Sequence, residues 1–376
     1  MLKIVEEETA AAFLLLMATV LAFMWSNSPW ADSYHSWIAI LNLKHIVNEG
    51  LMTFFFLLIG LEIREECLYG VLNTRQKALL PGIAALGGML IPILIYCICT
   101  WSHPIAIRGF AIPCATDIAF SLGVIKLLGN RVHASSKIFL SSLAIFDDLL
   151  AIALIACFYS HPGLSLYWFV LLAALLILYF LHAHQNKTQY SAWIYLITGT
   201  ILWWSMLKLG LHPTLAGIVI AFTLPLKAKP NNPSSTSTLV KRIQKHLGPW
   251  VPMLVLPSFA FVNAGVSLQQ FATHEIESTI FWGIILGLCL GKPLGVLIFT
   301  KLAEMCRLGE RPPGLNQREL IGLSLLCGIG FSISLFVGNL AFNPWPNALE
   351  TSKLAILMAS GISGVLGYGY FWLRSQ

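Results

Sequence analysis

Ile138-Phe139-Leu140-Ser141-Ser142-Leu143-Ala144-Ile145-Phe146-Asp147-Asp148-Leu149-Leu150-Ala151-Ile152-Ala153-Leu154-Ile155-Ala156-Cys157-Phe158 decides how this chain is read. As a helix the stretch is about 31 Å long, one hydrocarbon thickness of a bilayer. Its only charges are two adjacent aspartates at the middle. Each Asp at the centre of a membrane helix costs about 3 kcal/mol on insertion scales, so a pair kept there points to an ion or proton path.

The surrounding sequence has the same character. Of 376 residues 57% are hydrophobic and 11% charged, against roughly a quarter charged in a soluble domain. Apolar stretches of spanning length recur at 10-26, 46-64, 77-99, 105-127, 138-159, 164-181, 190-205, 207-225, 247-266, 279-300, 319-338 and 354-373. The expected fold is an all-α membrane protein of about 12 transmembrane helices, with residues 1-376 forming one polytopic domain. The first stretch follows Glu6, Glu7 and Glu8 and lacks a small-x-small cleavage pattern, so it is expected to stay as a helix. The eight cysteines show no metal-ligand spacing with His and are expected to be small core residues.

The net charge of +6 reflects orientation rather than nucleic-acid binding. With the N-terminus in the cytoplasm, 18 of the 23 Lys and Arg fall inside, Lys44, Arg108, Lys208 and Lys353 fall outside, and Lys292 lies within the membrane. That asymmetry places both termini in the cytoplasm. The Pro-, Ser- and Thr-rich stretch at the start of loop 226-246, with the basic run after it, is expected to be a solvated loop held by lipid headgroups. Trp30, Tyr34 and Trp37 in the outer loop are expected to mark the membrane interface.

Two spans are expected to be broken. Pro113 lies at mid-depth in the fourth, within Gly109-Phe110-Ala111-Ile112-Pro113-Cys114-Ala115-Thr116-Asp117, and Gly328 and Gly330 lie at similar depth in the eleventh, within Cys327-Gly328-Ile329-Gly330. Proline removes a backbone donor and paired glycines tolerate unwinding, which is acceptable where protein or water satisfies the freed groups. Each break is in the middle of a triplet, spans 3-5 and 10-12. The triplets start at opposite membrane faces, so an inverted repeat is expected, with the substrate site at the two interruptions.

Four charges are deep in the expected core: Asp117, Asp147, Asp148 and Lys292. Three acids and one base cannot all ionise comfortably at low dielectric, so at least one proton is shared or exchangeable. Consecutive helix positions diverge by about 100°, so one aspartate can face a cavity while its neighbour faces a protein partner. Asp148 is the expected primary cation ligand and Asp147 the expected partner of Lys292. Thr116 offers a further hard oxygen. If the broken helices cross, like helix ends meet; Asp117 then compensates the positive N-ends, the preferred reading over direct cation ligation, and Lys292 the negative C-ends, a role that can coexist with ion pairing.

The motifs Ala115-Thr116-Asp117-Ile118-Ala119-Phe120, Leu143-Ala144-Ile145-Phe146-Asp147-Asp148-Leu149, Gly291-Lys292-Pro293-Leu294-Gly295 and Cys327-Gly328-Ile329-Gly330-Phe331 together resemble the NhaA sodium/proton antiporter family, itself a standing example of inverted-repeat transporters. The resemblance extends through Phe55-Glu62, Leu211-Gly217 and Asn263-Ser267 and covers nearly the whole chain. It implies a bacterial inner-membrane protein, not an enzyme, that exports Na+ or Li+ in exchange for H+ by alternating access. Exchange would be electrogenic and pH-regulated, with no cofactor beyond the transported ions, and the metal bound at Asp147 and Asp148 would be the cargo Na+.

It also implies a homodimer, and a pH-response region to which Glu62, Glu66 and Lys241 belong. Gln244, Lys245 and Gly248 replace titratable types of the family pattern, and Glu65 stands where a basic residue is common. The outer loop after the first span is shorter than in members that dimerise through a β-hairpin, so the dimer contact is expected to be altered. His212 matches a family histidine, and beside a proline at a span end it is expected to be an interfacial packing residue.

Three other functions fit the sequence less well. An intramembrane aspartyl protease needs acids on separate helices and Gly-x-Gly-Asp, where this chain has Phe331. A proton-coupled symporter for an organic solute needs a larger polar cavity. A channel would pass ions without coupling to the opposing gradient.

Overall fold

The computed structural model describes residues 2–68, 75–160, 165–183, 192–225, 238–268 and 275–374. Most of the Pro-, Ser- and Thr-rich stretch singled out above lies outside these residues. The described residues contain helices and no strand. In chain order they form α1 (Leu2–Ser26), α2 (Ala31–Ile40), α3 (Leu43–His45), α4 (Met52–Leu68), α5 (Arg75–Thr100), α6 (Ile118–Leu128) and α7 (Ala134–Phe158). There follow α8 (Tyr167–Ala183), α9 (Ala192–Leu209), α10 (Leu215–Thr223), α11 (Thr238–Trp250), α12 (Leu256–Asn263), α13 (Glu275–Leu286), α14 (Lys292–Met305), α15 (Gln317–Cys327), α16 (Phe331–Phe342) and α17 (Pro346–Arg374). Wider π-helical turns carry α3 into α4, α11 into α12 and α13 into α14.

Among the described residues six helical runs are long and apolar enough to cross a membrane: Leu43–Leu68, Ala78–Thr100, Ala134–Phe158, Ala192–Leu209, Ser278–Met305 and Pro346–Arg374. Counting each of three bent pairs as one raises this to nine. One pair joins Ala10–Ser26 to Ala31–Ile40 at 115°; the others, Ala106–Cys114 with Ile118–Leu128 and Gln317–Cys327 with Phe331–Phe342, each bend by 41°. The helices are apolar on their outward faces as well as inward. On α8, Leu172, Leu176 and Phe180 are exposed while Leu171, Ala174 and Leu178 are buried, the pattern of a helix whose solvent is hydrocarbon.

The helices pack as two bundles. In the first, α5 lies against α7, α13 and α14, and α17 against α6, α13, α15 and α16. In the second, α4 packs on α10 and α11, α9 on α8 and α10, and α1 on α12. The bundles meet along a seam where α1 touches α6, α4 touches α7 and α12 touches α16. The tightest approach in the first bundle is α5 on α14. A Cβ at Gly87 would collide with the Gly295 carbonyl, and one at Gly295 with the Gly87 carbonyl. Absent side chains let the two backbones touch, as in other membrane helix pairs, and so set how close Lys292 comes to α7.

Two sequence expectations need correction. Trp30 and Trp37 are exposed, but Tyr34 is buried, and its hydroxyl donates to the Phe261 carbonyl at 2.6 Å. An aromatic ring able to satisfy its own hydroxyl can fill the interior as readily as the interface. Of the eight cysteines only Cys114 and Cys327 are buried; Cys97, Cys99 and Cys289 are intermediate, and Cys67, Cys157 and Cys306 are exposed. For the cysteines within candidate spans an outward position in a bilayer still removes a small apolar side chain from water, whereas Cys306 lies just past the end of α14.

Candidate ion site at two chain breaks

Asp147 and Asp148, midway along α7, are both buried. Asp147 faces the first bundle. Its Oδ2 is 2.7 Å from Lys292 Nζ, and both side chains are fully buried. Lys292 is brought there by the π-helical turn Gly287–Gly291 immediately before it, a rearrangement that re-aims the following side chains and is frequent at functional sites. The same ammonium donates to the Cys114 carbonyl. Thr116 Oγ1 lies 2.7 Å from Asp147 Oδ2 and 2.9 Å from the Cys327 carbonyl. A hydroxyl has one proton, so it donates fully to only one of these acceptors at a time.

The other oxygen of each aspartate is different. Asp147 Oδ1 and Asp148 Oδ1 are buried without a hydrogen-bond partner. An unpaired buried carboxylate oxygen costs several kcal/mol unless a proton or cation takes the missing place. Asp148 lies within electrostatic reach of Asp147, Asp117, Glu62 and Lys292. Among the described residues no three His, Cys, Asp or Glu side chains gather as a metal site. What the centre offers a cation is two carboxylates and neutral oxygens, a donor set suited to a hard ion passing through.

Asp117 is held quite differently. Its Oδ1 accepts from Phe120 N at 3.0 Å, capping the start of α6. Its Oδ2 accepts from Ser332 N at 3.0 Å and from Ser332 Oγ at 2.5 Å, at the start of α16. One carboxylate therefore sits at two helix N-termini and meets both partial positive charges. At the C-ends, Lys292 takes the Cys114 carbonyl and Thr116 reaches the Cys327 carbonyl. Ser334 on α16 donates to Ile112 O at 2.7 Å, and Ser121 on α6 donates to Leu326 O at 3.1 Å. Each serine follows by four positions the residue that opens its helix, Asp117 or Gly330, and each satisfies carbonyls released by the other break.

Pro113 is buried in the short turn Ile112–Cys114, against Gly287. Gly328 and Gly330 keep ordinary negative φ angles of -69° and -91°, so their role is space rather than a left-handed turn. A Cβ on Gly330 would stand 3.2 Å from the Ala115 carbonyl of the opposite break, and one on Gly328 would strike the Leu288 carbonyl.

Of the residues expected to form a pH-response region, Glu62 is within electrostatic reach of Asp148. Glu62 and Glu66 are on α4 and Lys241 on α11, with Glu62 and Lys241 exposed. The hydrogen bond described between these helices joins two positions at which the chain departs from the family pattern, Gln244 Nε2 to Glu65 Oε2 at 2.6 Å. His212 contacts the Tyr159 carbonyl at 2.6 Å. The sequence reading gave no role to Gly88, Ser121, Ser332 or Ser334. Gly88 leaves room beside the site: a Cβ there would sit 3.9 Å from Asp147 Oδ1 and 3.6 Å from Lys292 Cε. The recurrence of Ser121 and Ser334 at one offset from each break was the signal available for the two serines.

Residues 2–371 match the family model described as Na+/H+ antiporter 1. The chain is 43% identical over 366 residues to a protein of Vibrio cholerae serotype O1 named Na(+)/H(+) antiporter NhaA, covering 96% of this chain and 94% of that one. It is 44% identical over 366 residues to the protein of that name from Vibrio vulnificus, covering 96% and 92%. With the protein of that name from Shewanella frigidimarina it shares 43% identity over 380 residues, covering 98% and 94%. Paired carboxylates, a buried lysine and two capped chain breaks thus occur in a sequence matched along nearly its full length, and the chain belongs to the NhaA Na+/H+ antiporter family.

Proposed function

We propose that the protein exports Na+ or Li+ from the cell in exchange for H+, by alternating access around Asp147 and Asp148. The observation that carries this reading is the condition of two neighbouring acids: each keeps a buried oxygen with no hydrogen-bond partner, and Asp147 is in addition paired with Lys292 at 2.7 Å. Asp148 is the entry ligand for the cation, joined by Asp147 once its lysine partner is exchanged. Thr116 turns its hydroxyl hydrogen bond between Asp147 and the Cys327 carbonyl as the carboxylate changes state, its O–H bond staying intact. Protons and cation compete for the same oxygens, which is the condition for coupled exchange. Asp117 and Lys292 offset the helix-end charges, so the centre stays loaded or protonated but never bare.

The chain acts as one transport domain over 1–376 in a bacterial inner membrane, with both termini cytoplasmic. Nine candidate spans together with α8, α10 and the α11–α12 rod make up its twelve crossings. The two bent pairs are interrupted spans at matching positions of an inverted repeat, 3-5 against 10-12. Exchange is electrogenic, with more protons entering than Na+ leaving. It responds to pH through the cytoplasmic region of Glu62, Glu66 and Lys241, with a profile altered by the Glu65–Gln244 contact. The protein works as a homodimer in lipid, its outer contact built without a hairpin.

Proton flux in everted vesicles, with Na+, Li+ and K+ added in turn across pH, tests the proposal. Proton movement on adding Na+ or Li+, and none on adding K+, is the expected result. Sodium uptake by purified protein without proton release overturns it.

A further inference from the structure

Side-chain bonds are unevenly distributed along the seam between the two bundles. At the cytoplasmic end the polar contacts described remain within one bundle: Arg64 reaches the Ala221 and Leu224 carbonyls, Gln244 reaches Glu65, and Glu319 holds Ser136 and Arg374. At the outer end they cross. Asn339 Nδ2 on α16 donates to Asn263 Oδ1 at the end of α12, 2.9 Å away. Asn263 is buried, and its own amide donates to Asn48 Oδ1 at 2.8 Å, in the turn that opens α4. His212 and the Tyr159 carbonyl add a second crossing, at 2.6 Å. Just inside the asparagines, Phe336 of α16 packs against Phe56 and Phe259 of the second bundle, with ring centres 5.4 and 6.4 Å apart. Glu350 at the start of α17, paired with Lys353 at 3.0 Å, lies within electrostatic reach of Lys44 and Tyr34 across the same seam.

We propose that Asn48, Asn263 and Asn339 form a latch that holds the outer mouth shut, and that the Asn339–Asn263 bond must break for the ion site to open outward. The inference rests on the antiporter reading above. Asn48 and Asn263 belong to one bundle and stay together, and Asn339 is the member that departs. An amide suits this role because water replaces the lost bond as the seam opens, so the latch costs little to release and reforms with fixed geometry. The phenylalanines beneath it exclude water from Asp147 and Asp148 while it is closed. Weakening the latch raises the population open to the outer face at the expense of the population open to the cytoplasm.

The test measures the Na+ KM at each membrane face, in everted and in right-side-out vesicles, for the wild-type protein, Asn339→Ala and the similarly sized Asn339→Leu. Loss of one hydrogen bond is expected to lower the ratio of the outer-face KM to the cytoplasmic-face KM about 2- to 10-fold. Hydrogen exchange on the same purified proteins, which needs no transport, should show faster exchange at 46–51 and 339–342. An unchanged ratio of the two KM values together with unchanged exchange overturns the latch, whatever happens to thermal stability. A wild-type protein that shows no Na+-driven proton flux counts instead against the antiporter reading, and the exchange measurement then decides the latch alone.

Discussion

Asp117 and the pair Asp147-Asp148 are buried acids in one small volume, yet their surroundings are opposite. Asp117 has both oxygens engaged, by two backbone amides and a serine hydroxyl from two different helices. Asp147 and Asp148 each retain an oxygen with no partner. A charge whose donors are all fixed belongs to the architecture, since displacing it would expose two helix ends. A charge left incomplete is where a proton or cation can come and go.

That contrast can be broken by substitution. The largest expected effect is on activity: Asp148→Asn and Asp147→Asn should each abolish Na+-driven proton movement in vesicles while the protein still inserts. For Asp148→Asn the melting temperature should hold or rise, because a neutral amide replaces a buried acid that keeps an oxygen without a partner. Normal exchange by either variant would remove these residues from the site. Lys292→Ala comes next, leaving Asp147 unpaired in a dry setting at a cost of about 3–5 kcal/mol. Adding Asp147→Asn to it should restore part of that stability, and a purely additive double-mutant cycle would mean that the two side chains do not interact.

Asp117→Ala should cost roughly 2–4 kcal/mol through the loss of one cap shared by two helices. If thermal unfolding is unaffected while Na+ affinity collapses, Asp117 is a ligand and the contrast fails. Ser121→Ala and Ser334→Ala should each cost about 1 kcal/mol, and similar losses would sharpen the equivalence of the two breaks. The smallest effect expected is from Gln244→Glu, which sets a second carboxylate against Glu65 in place of an amide donor. The α4–α11 contact should loosen as both ionise, moving the pH dependence of exchange without lowering its maximum. A superimposable profile would show that this contact has no regulatory part.

Legibility in the sequence followed the kind of residue involved. Asp147, Asp148, Asp117 and Lys292 stood out because a charge in an apolar run is expensive wherever it lies. Pro113, Gly328 and Gly330 stood out as candidate breaks, and the structure adds clearance to the part played by the glycines, since a Cβ on Gly330 would approach the Ala115 carbonyl and one on Gly328 the Leu288 carbonyl. Tyr34 was assigned to the interface because composition alone cannot say whether an aromatic hydroxyl will find an internal acceptor, here the Phe261 carbonyl. Ser332 and Gly88 gave no signal at all. A serine or glycine costs a membrane helix little, so its presence needs no special explanation until its neighbour is known.

The sequence by itself determined that the chain is a helical membrane protein with buried acids at its centre, because hydropathy and the cost of burying charge are properties of segments. Proline and glycine marked candidate breaks, but Pro81 and Pro92 lie inside the continuous α5, so residue type alone did not decide where a helix is interrupted. Tertiary structure alone decided which acid is satisfied and which is not, since that depends on donors more than 200 residues away, such as Ser332 facing Asp117. It alone brought Glu65 to Gln244 and Asn339 to Asn263. Hydrogen bonds act over about 3 Å, a range on which only the folded chain, and not its order of residues, brings groups together.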